Sequence, residues 1–385
     1  MLQKEKLKIL VLYPYPVEPD GQSLQGYYLV KGLCELGVDA RSCNRTDNLQ
    51  KLWTYKEFTP DIVLGIGYWG NTPEVILSPM NHGLKPVPWF NADGWIANYH
   101  SILNDLTLLI VTSNWVKETY NRDGVKGNIH ICPIGYDNSL FYPRYFDSGI
   151  LKLRDMLGIR EHEKMILTVG GDVTSKGAQE MFQALAKINN EFKDWKYVLK
   201  VYDSFSAEDH GKEEELLIEK LGLDKNRITY LKGSFSPEFM ATLLNACDIY
   251  AAPSRIEGFG MIQVEAMACG KPVISINVGG PRDTIVNGKT GYLVDVEEEI
   301  KLDREWAYSW MGFEEDHIIK FDKPKTFAYR ANIDQLAEFT LKLINEDKLR
   351  NELGKNAAEH ALKNFHYKEI ARKMLKLIEE NVLKS

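Results

Sequence analysis

The sequence predicts an α/β protein built as two Rossmann-like domains, each around a parallel sheet. Apolar runs of strand length alternate with segments of helical period along the chain, the pattern left when helices cover both faces of parallel strands. The series begins twice. At 385 residues the chain also exceeds the roughly 250–300 residues at which a single hydrophobic core stops growing.

The first series opens with residues 7–13 (LKILVLY), a run apolar enough for a strand buried on both faces, followed by a helix over 27–36 and strands over 61–66 and 106–112. The second restarts at 165–169 (MILTV) and continues through strands at 197–201, 228–231, 249–252 and 272–276. Between them, Pro143, Asp147, Ser148 and Gly149 interrupt both periods before a new helix near Leu151, so the boundary is expected at 147/148. From Ala331 the pattern is wholly helical. Ile370, Met374, Ile378 and Val382 share one face of the last helix, which needs a groove to bury them. The expected N-terminal domain is therefore 1–147 plus 366–385, and the C-terminal domain 148–365. Residues 295–329 read as a long irregular stretch in which acids mix with Trp306, Tyr308, Trp310 and Phe313; loops of that length usually carry function or are disordered, and the aromatics favour order that packing alone would explain.

Composition narrows the function classes. Forty-seven basic side chains face 54 acidic ones, a net charge of -7, with 13 basic and 15 acidic in residues 1–150, leaving 34 and 39 beyond. Neither half is electropositive, which argues against nucleic acid or an anionic membrane as the main partner. No window reaches the ~20 continuous apolar residues of a membrane span, and residues 1–6 hold no apolar signal region, so a cytoplasmic protein is expected. Cys34, Cys43, Cys132, Cys247 and Cys269 are odd in number and widely spaced, as reduced thiols rather than a disulfide framework. No paired metal-ligand spacing occurs; Asp295-Val296-Glu297 is the nearest approach to a D-x-D motif and lies in an acidic run.

The most informative segment is Ala252-Pro253-Ser254-Arg255-Ile256-Glu257-Gly258-Phe259-Gly260, a strand end running into a glycine-rich turn and then a helix through Glu265 and Cys269. Such a turn offers free backbone N–H groups and a positive dipole end, and a phosphate fits there. Glu257 and Glu265 are eight residues apart. At ~100° and ~1.5 Å per helical residue they would point about 80° apart and stand ~12 Å from each other, too far for a paired acid and base. They suit the two ends of one elongated ligand, each carboxylate accepting vicinal hydroxyls while the N–H groups between them take phosphates. That shape is a sugar nucleotide.

Glu257-Gly258-Phe259-Gly260, followed by Glu265-Ala266-Met267-Ala268-Cys269-Gly270-Lys271-Pro272-Val273, resembles the E-x7-E motif of retaining GT-B glycosyltransferases of family four, the glycogen-synthase-like and mannosyltransferase-like group. The resemblance extends to Gly279-Gly280, to Gly288 with Thr290-Gly291-Tyr292, to Gly170 with Lys176-Gly177, and to Pro133, Gly135, Asp137, Phe141 and Pro143 at the domain junction. It covers about residues 106–294 and the final helices, the first hundred residues matching loosely.

The resemblance implies two domains facing a central cleft, with the donor mainly on the C-terminal domain. It implies that Glu265 binds ribose hydroxyls, that Glu257 binds the donor sugar, and that Gly258, Phe259, Gly260 and Met261 approach sugar and diphosphate through the backbone, beside Gly279 and Gly280. Lys176 would neutralise the departing diphosphate, which explains transfer without a metal or other cofactor, since a fixed ammonium stabilises charge as it develops. Where the family commonly has arginine after the first loop glycine, this chain has Gly171; Arg255 or Arg282 would stand in for that cation. Asp93 stands where a histidine is common, in reach of the donor sugar or of an oxocarbenium-like transition state. Asp20-Gly21 replaces the N-terminal glycine pair, leaving Gly21 for close backbone approach to ligand. The expected reaction is hexosyl transfer with retention, from a nucleotide-diphosphate sugar to a saccharide, lipid-linked or small-molecule acceptor.

Two other classes fit the same residues: a nucleotide-sugar-binding protein that no longer transfers, suggested by Gly171 and Asp93, and a GT-B sugar phosphorylase. A dinucleotide enzyme does not fit, because prolines rather than G-x-G-x-x-G follow residues 7–13. Trp69, Trp89 and Trp95 suit either stacking on an acceptor sugar or core packing.

Overall fold

The computed structural model describes residues 6–92, 94–189, 191–202 and 207–384. The chain divides into two compact units, Met1–Asp137 with Lys301–Lys325 and Asn364–Ser385, and Asn138–Ile300 with Thr326–Lys363.

The first unit holds a six-stranded parallel sheet of β1 (Lys8–Tyr13), β2 (Asp39–Asn44), β3 (Ile62–Gly67), β4 (Pro86–Phe90), β5 (Leu109–Val111) and β6 (Ile129–Ile131), in the order β2-β1-β3-β4-β5-β6. Strand β1 lies inside the sheet, and its Ile9 to Tyr13 are fully buried, which is why it reads as one apolar run. Helix Gly21–Glu35 follows, capped by Asp20, whose carboxylate accepts from the amides of Gln22 and Ser23. Against it packs helix Tyr367–Ile378, with Gly32 facing Ala371 and Tyr367. The stripe of Ile370, Met374, Ile378 and Val382 is buried, as its period requires. Lys31 pairs with Asp137 at 2.6 Å and lies over the Tyr367 ring.

The second unit holds six parallel strands, β7 (Lys164–Val169), β8 (Trp195–Val201), β9 (Ile228–Lys232), β10 (Ile249–Ala252), β11 (Val273–Ile276) and β12 (Gly291–Val294), ordered β12-β11-β10-β7-β8-β9. Its core combines Trp195, Tyr197, Phe182 and Leu185 with Leu336, Leu343 and Leu353. Residues 138–147, the expected junction, hold to this unit, the Arg144 amide donating to Asn245 Oδ1 at 2.9 Å. Asp147 then caps helix Ser148–Met156.

One expectation is corrected. Residues 295–329 are not an irregular loop but largely a two-stranded hairpin, β13 (Val296–Ala307) and β14 (His317–Ala331). Charged and half-exposed side chains occupy both faces of β13, so no period-two apolar signal marks it. The five cysteines are free thiols, four buried and Cys34 exposed.

Candidate active site

The strand order of the second unit locates its crevice. The chain runs β7-β8-β9 outward on one side, then returns to place β10, β11 and β12 on the other, so the order reverses between the neighbours β7 and β10. Loops leaving two such strands diverge, and ligands of open α/β sheets bind at that point beyond the carboxyl ends. The two loops are residues 170–177 and 253–260.

The first loop is held from below. The Gly170 amide donates to the Lys200 carbonyl at 3.0 Å, and the Tyr202 amide to Gly171 at 3.2 Å. Asp172 accepts from the Thr174 amide and lies 2.8 Å from His210 Nδ1. The Thr174 hydroxyl donates to Glu214, which also accepts from Tyr230 Oη at 2.6 Å. Burial raises the Glu214 pKa, and those two donors counter it. The loop ends at Gly177 in a left-handed conformation, φ +86°, where a Cβ would collide with the Pro253 carbonyl. Glycine is required there twice over. Helix Ala178–Ile188 begins next, without a side-chain cap.

The second loop crosses the first, the Arg255 amide donating to Ser175 O at 2.9 Å. Lys176 Nζ lies 2.8 Å from Glu257 Oε2, while Glu257 Oε1 accepts from the Gly260 amide at 3.0 Å and lies 3.5 Å from that of Phe259. Helix Met261–Ala268 follows Gly260, again with no side-chain cap, so its first-turn amides and dipole face the crest. Gly280 packs behind the loop, donating to Glu257 O at 2.8 Å so closely that a Cβ would overlap Phe259 Cα. One turn into the helix, Glu265 is 2% exposed, and its Oε1 has no hydrogen-bond partner among the described residues. Burial pushes its pKa up to about 8. Gln263 Oε1 in the same helix is buried and also without a partner among the described residues.

The structure thus gathers Lys176, Glu257, Phe259, Gly260 and Met261 at one crest, with Glu265 beneath and Gly279–Gly280 behind. Arg255 is turned elsewhere: its guanidinium donates to Glu180 Oε1 at 3.1 Å and Gln179 Oε1 at 2.8 Å, with Arg330 Nε 3.6 Å from the same Glu180 oxygen. Arg282 is exposed beside the glycine pair. In the first unit, Gly21 opens its helix with open space around the position of a Cβ. Asp93 lies outside the described residues. Trp69, Trp89 and Trp95 are buried; Trp69 and Trp95 meet edge to face at 5.7 Å, and Trp89 Nε1 donates to Cys132 O, so packing explains all three. Glu180, Glu214, Thr174 and Tyr230 support the loops but sit in no spacing that marks them in sequence. Among the described residues no group of three or more His, Cys, Asp or Glu side chains stands where it would hold a metal ion, and no helix is long and apolar enough to cross a membrane.

Known proteins are similar to this one in part of the sequence and in fold. Residues 150–306 match the family described as glycosyl transferases group 1. A D-inositol 3-phosphate glycosyltransferase of Corynebacterium jeikeium is 29% identical over 316 residues, 81% of this chain and 66% of that protein. The chain spans about half to two thirds of the length of such curated relatives. Among solved structures, the sucrose-phosphate synthase of Thermosynechococcus elongatus superposes with a TM-score of 0.75 at 18% identity over 99% of this chain and 100% of that one. Anabaena HepE, solved with UDP and glucose, gives 0.72 at 19% identity over 97% and 100%. Residues 150–306 are thus similar to group 1 glycosyltransferases, and the two Rossmann-like sheets are of the GT-B kind.

Proposed function

We propose that the protein moves a hexosyl group from a nucleotide-diphosphate sugar to an acceptor, with retention and without a metal, and that the second unit holds the donor. One observation carries the reading: a buried, unpartnered Glu265 oxygen lies beneath an uncapped helix start whose crest holds the Lys176–Glu257 pair. An isolated buried carboxylate is costly, so it is kept where a ligand completes it. Ribose hydroxyls are donors of the right kind for Glu265. The first-turn amides of helix Met261–Ala268 take the diphosphate. Donor binding then divides the crest pair, Glu257 accepting sugar hydroxyls and Lys176 the phosphate oxygens.

Catalysis on this view is electrostatic. As the sugar–phosphate bond breaks, negative charge grows on the diphosphate, and Lys176 and the amides are already oriented toward it. The sequence marks no carboxylate nucleophile, so we favour front-face displacement, in which the acceptor oxygen bonds to the sugar carbon as the sugar–phosphate bond breaks and the leaving phosphate oxygen takes the acceptor proton.

A thermal-shift screen against uracil, guanine and adenine nucleotide sugars tests donor binding; at a hundred times its dissociation constant a ligand adds ~2.7 kcal/mol. Product analysis then reads transfer and anomeric configuration by NMR. Activity that survives EDTA supports the metal-free reading, and loss restored by a divalent cation refutes it. A protein stabilised by no nucleotide sugar refutes the whole proposal.

A further inference from the structure

The hairpin carries a feature that donor chemistry does not use. Trp306, Tyr308 and Trp310 follow one another at every second residue, their rings 6.2 and 5.7 Å apart and within 17° and 11° of parallel. They are 47%, 37% and 62% exposed, whereas Ala307 between them is fully buried. Single exposed aromatics are ordinary; three aligned in one strip are not.

The strip is also built to keep its shape. The Ser309 amide donates to Asp316 Oδ1 at 2.7 Å, and the Met311 and Gly312 amides to Tyr308 and Ser309 carbonyls. Within the first unit, Asn98 Nδ2 donates to Gly312 O, Phe313 meets Trp69, Phe321 meets Trp95, and Lys325 pairs with Asp123 at 3.0 Å. A surface fixed before binding loses little freedom on binding.

Its charge selects the partner. Residues 302–317 hold five carboxylates, Asp303, Glu305, Glu314, Glu315 and Asp316, against Arg304, which is paired with Asp303. That field repels anionic lipid, nucleic acid and acidic glycans. A neutral carbohydrate has no charge to repel and offers C–H faces to aromatic rings.

We propose that the Trp306–Tyr308–Trp310 strip binds a neutral saccharide chain. That the chain is part of the acceptor rests on the transferase reading; the binding itself does not.

The test is titration of the full chain with maltohexaose, cellohexaose and mannohexaose, followed by intrinsic tryptophan fluorescence and calorimetry. At least one hexasaccharide should bind, and Trp306→Ala and Trp310→Ala should each weaken it at least tenfold. Trp53→Ala, which removes an equally exposed tryptophan on helix Asn48–Phe58, should leave it unchanged. Unaltered melting temperatures in the strip variants exclude misfolding as the cause. Absence of binding to all three sugars, or binding indifferent to both strip substitutions, overturns the proposal. So does strip-dependent binding to phosphatidylcholine vesicles in place of sugar. Nucleotide-sugar thermal shifts on the same samples report separately: saccharide binding without any nucleotide response sinks the transferase reading and leaves the strip standing.

Discussion

Lys176 Nζ and Glu257 Oε2, 81 residues apart in sequence, form a 2.8 Å ion pair across the two loops at the β7–β10 switch point. The ammonium that would meet a leaving diphosphate and the carboxylate that would meet the sugar are thus held beside each other. Lys176→Ala should lower kcat by about two to three orders of magnitude, the usual loss when one preorganised charge-stabilising donor is removed. Stability should change by less than about 1 kcal/mol, because the pair is partly solvated. Lys176→Arg should recover part of the rate, keeping the charge but not the point-like fit. Steady-state kinetics with the best donor from the nucleotide screen, beside melting curves, checks both.

Glu265 gives a pH signature. Its folded pKa of about 8 lies above the ordinary carboxylate range because burial disfavours the charge. A ribose diol donates to the ionised form, so donor binding should release a proton, and affinity should rise about tenfold per pH unit up to pH ~8, then level off. Calorimetry in two buffers of different ionisation enthalpy measures that proton. The stability effect has the opposite sign. The folded state holds the proton more tightly than the unfolded, so this contribution is complete at acid pH and is lost as pH rises toward 8. Glu265→Gln should remove that slope and weaken nucleotide binding in one step. A slope that persists in the variant belongs to another group.

Arg255 is where the resemblance and the structure part. The sequence offers it as a replacement for the cation missing at Gly171, yet its guanidinium is committed to Glu180 and Gln179, with Arg330 on the same carboxylate. Glu180 is 2% exposed, and its Oε2 has no partner among the described residues. Arg255→Ala leaves that buried carboxylate with Arg330 alone, at 3.6 Å, and should cost about 3 kcal/mol, the low end for breaking a buried pair because one cation remains. Donor KM should move little. Arg282, exposed beside Gly279–Gly280, should show the reverse: Arg282→Ala leaves the melting temperature unchanged, and any diphosphate role appears in KM alone.

These cases mark how far the sequence reaches. Strands buried on both faces announce themselves, as β1 and β7 do, because after a leading lysine nearly every residue is apolar. Strand β2 (DARSCN) sits at the sheet edge with polar side chains, and β4 (PVPWF) carries Pro86 and Pro88, which argue against a strand although its partners supply the remaining bonds. Hairpin β13–β14 is hidden by charge on both faces. At the site, glycines and glutamates on one contiguous segment were legible because local geometry fixes their spacing. The Lys176–Glu257 pair, the Glu180–Arg255–Arg330 cluster and the Thr174–Glu214–Tyr230 support depend on which strands are neighbours, and that is a property of topology.

The two glycine expectations separate by the same logic. Gly280 touches the donor loop: its amide holds the Glu257 carbonyl, and an added methyl would overlap Phe259 Cα and approach Gly258 O. Gly280→Ala must displace backbone rather than a flexible side-chain end, at a cost of about 1–3 kcal/mol, and the Glu257–Lys176 geometry moves with it. Nucleotide-induced thermal stabilisation should fall together with the melting temperature. Gly21 begins its helix in open space, and alanine favours a helix there. Gly21→Ala should keep or slightly raise stability, so a loss of transfer in that variant, with donor binding intact, would mean that a ligand approaches the backbone at Gly21. Unchanged transfer would assign the position to helix initiation alone.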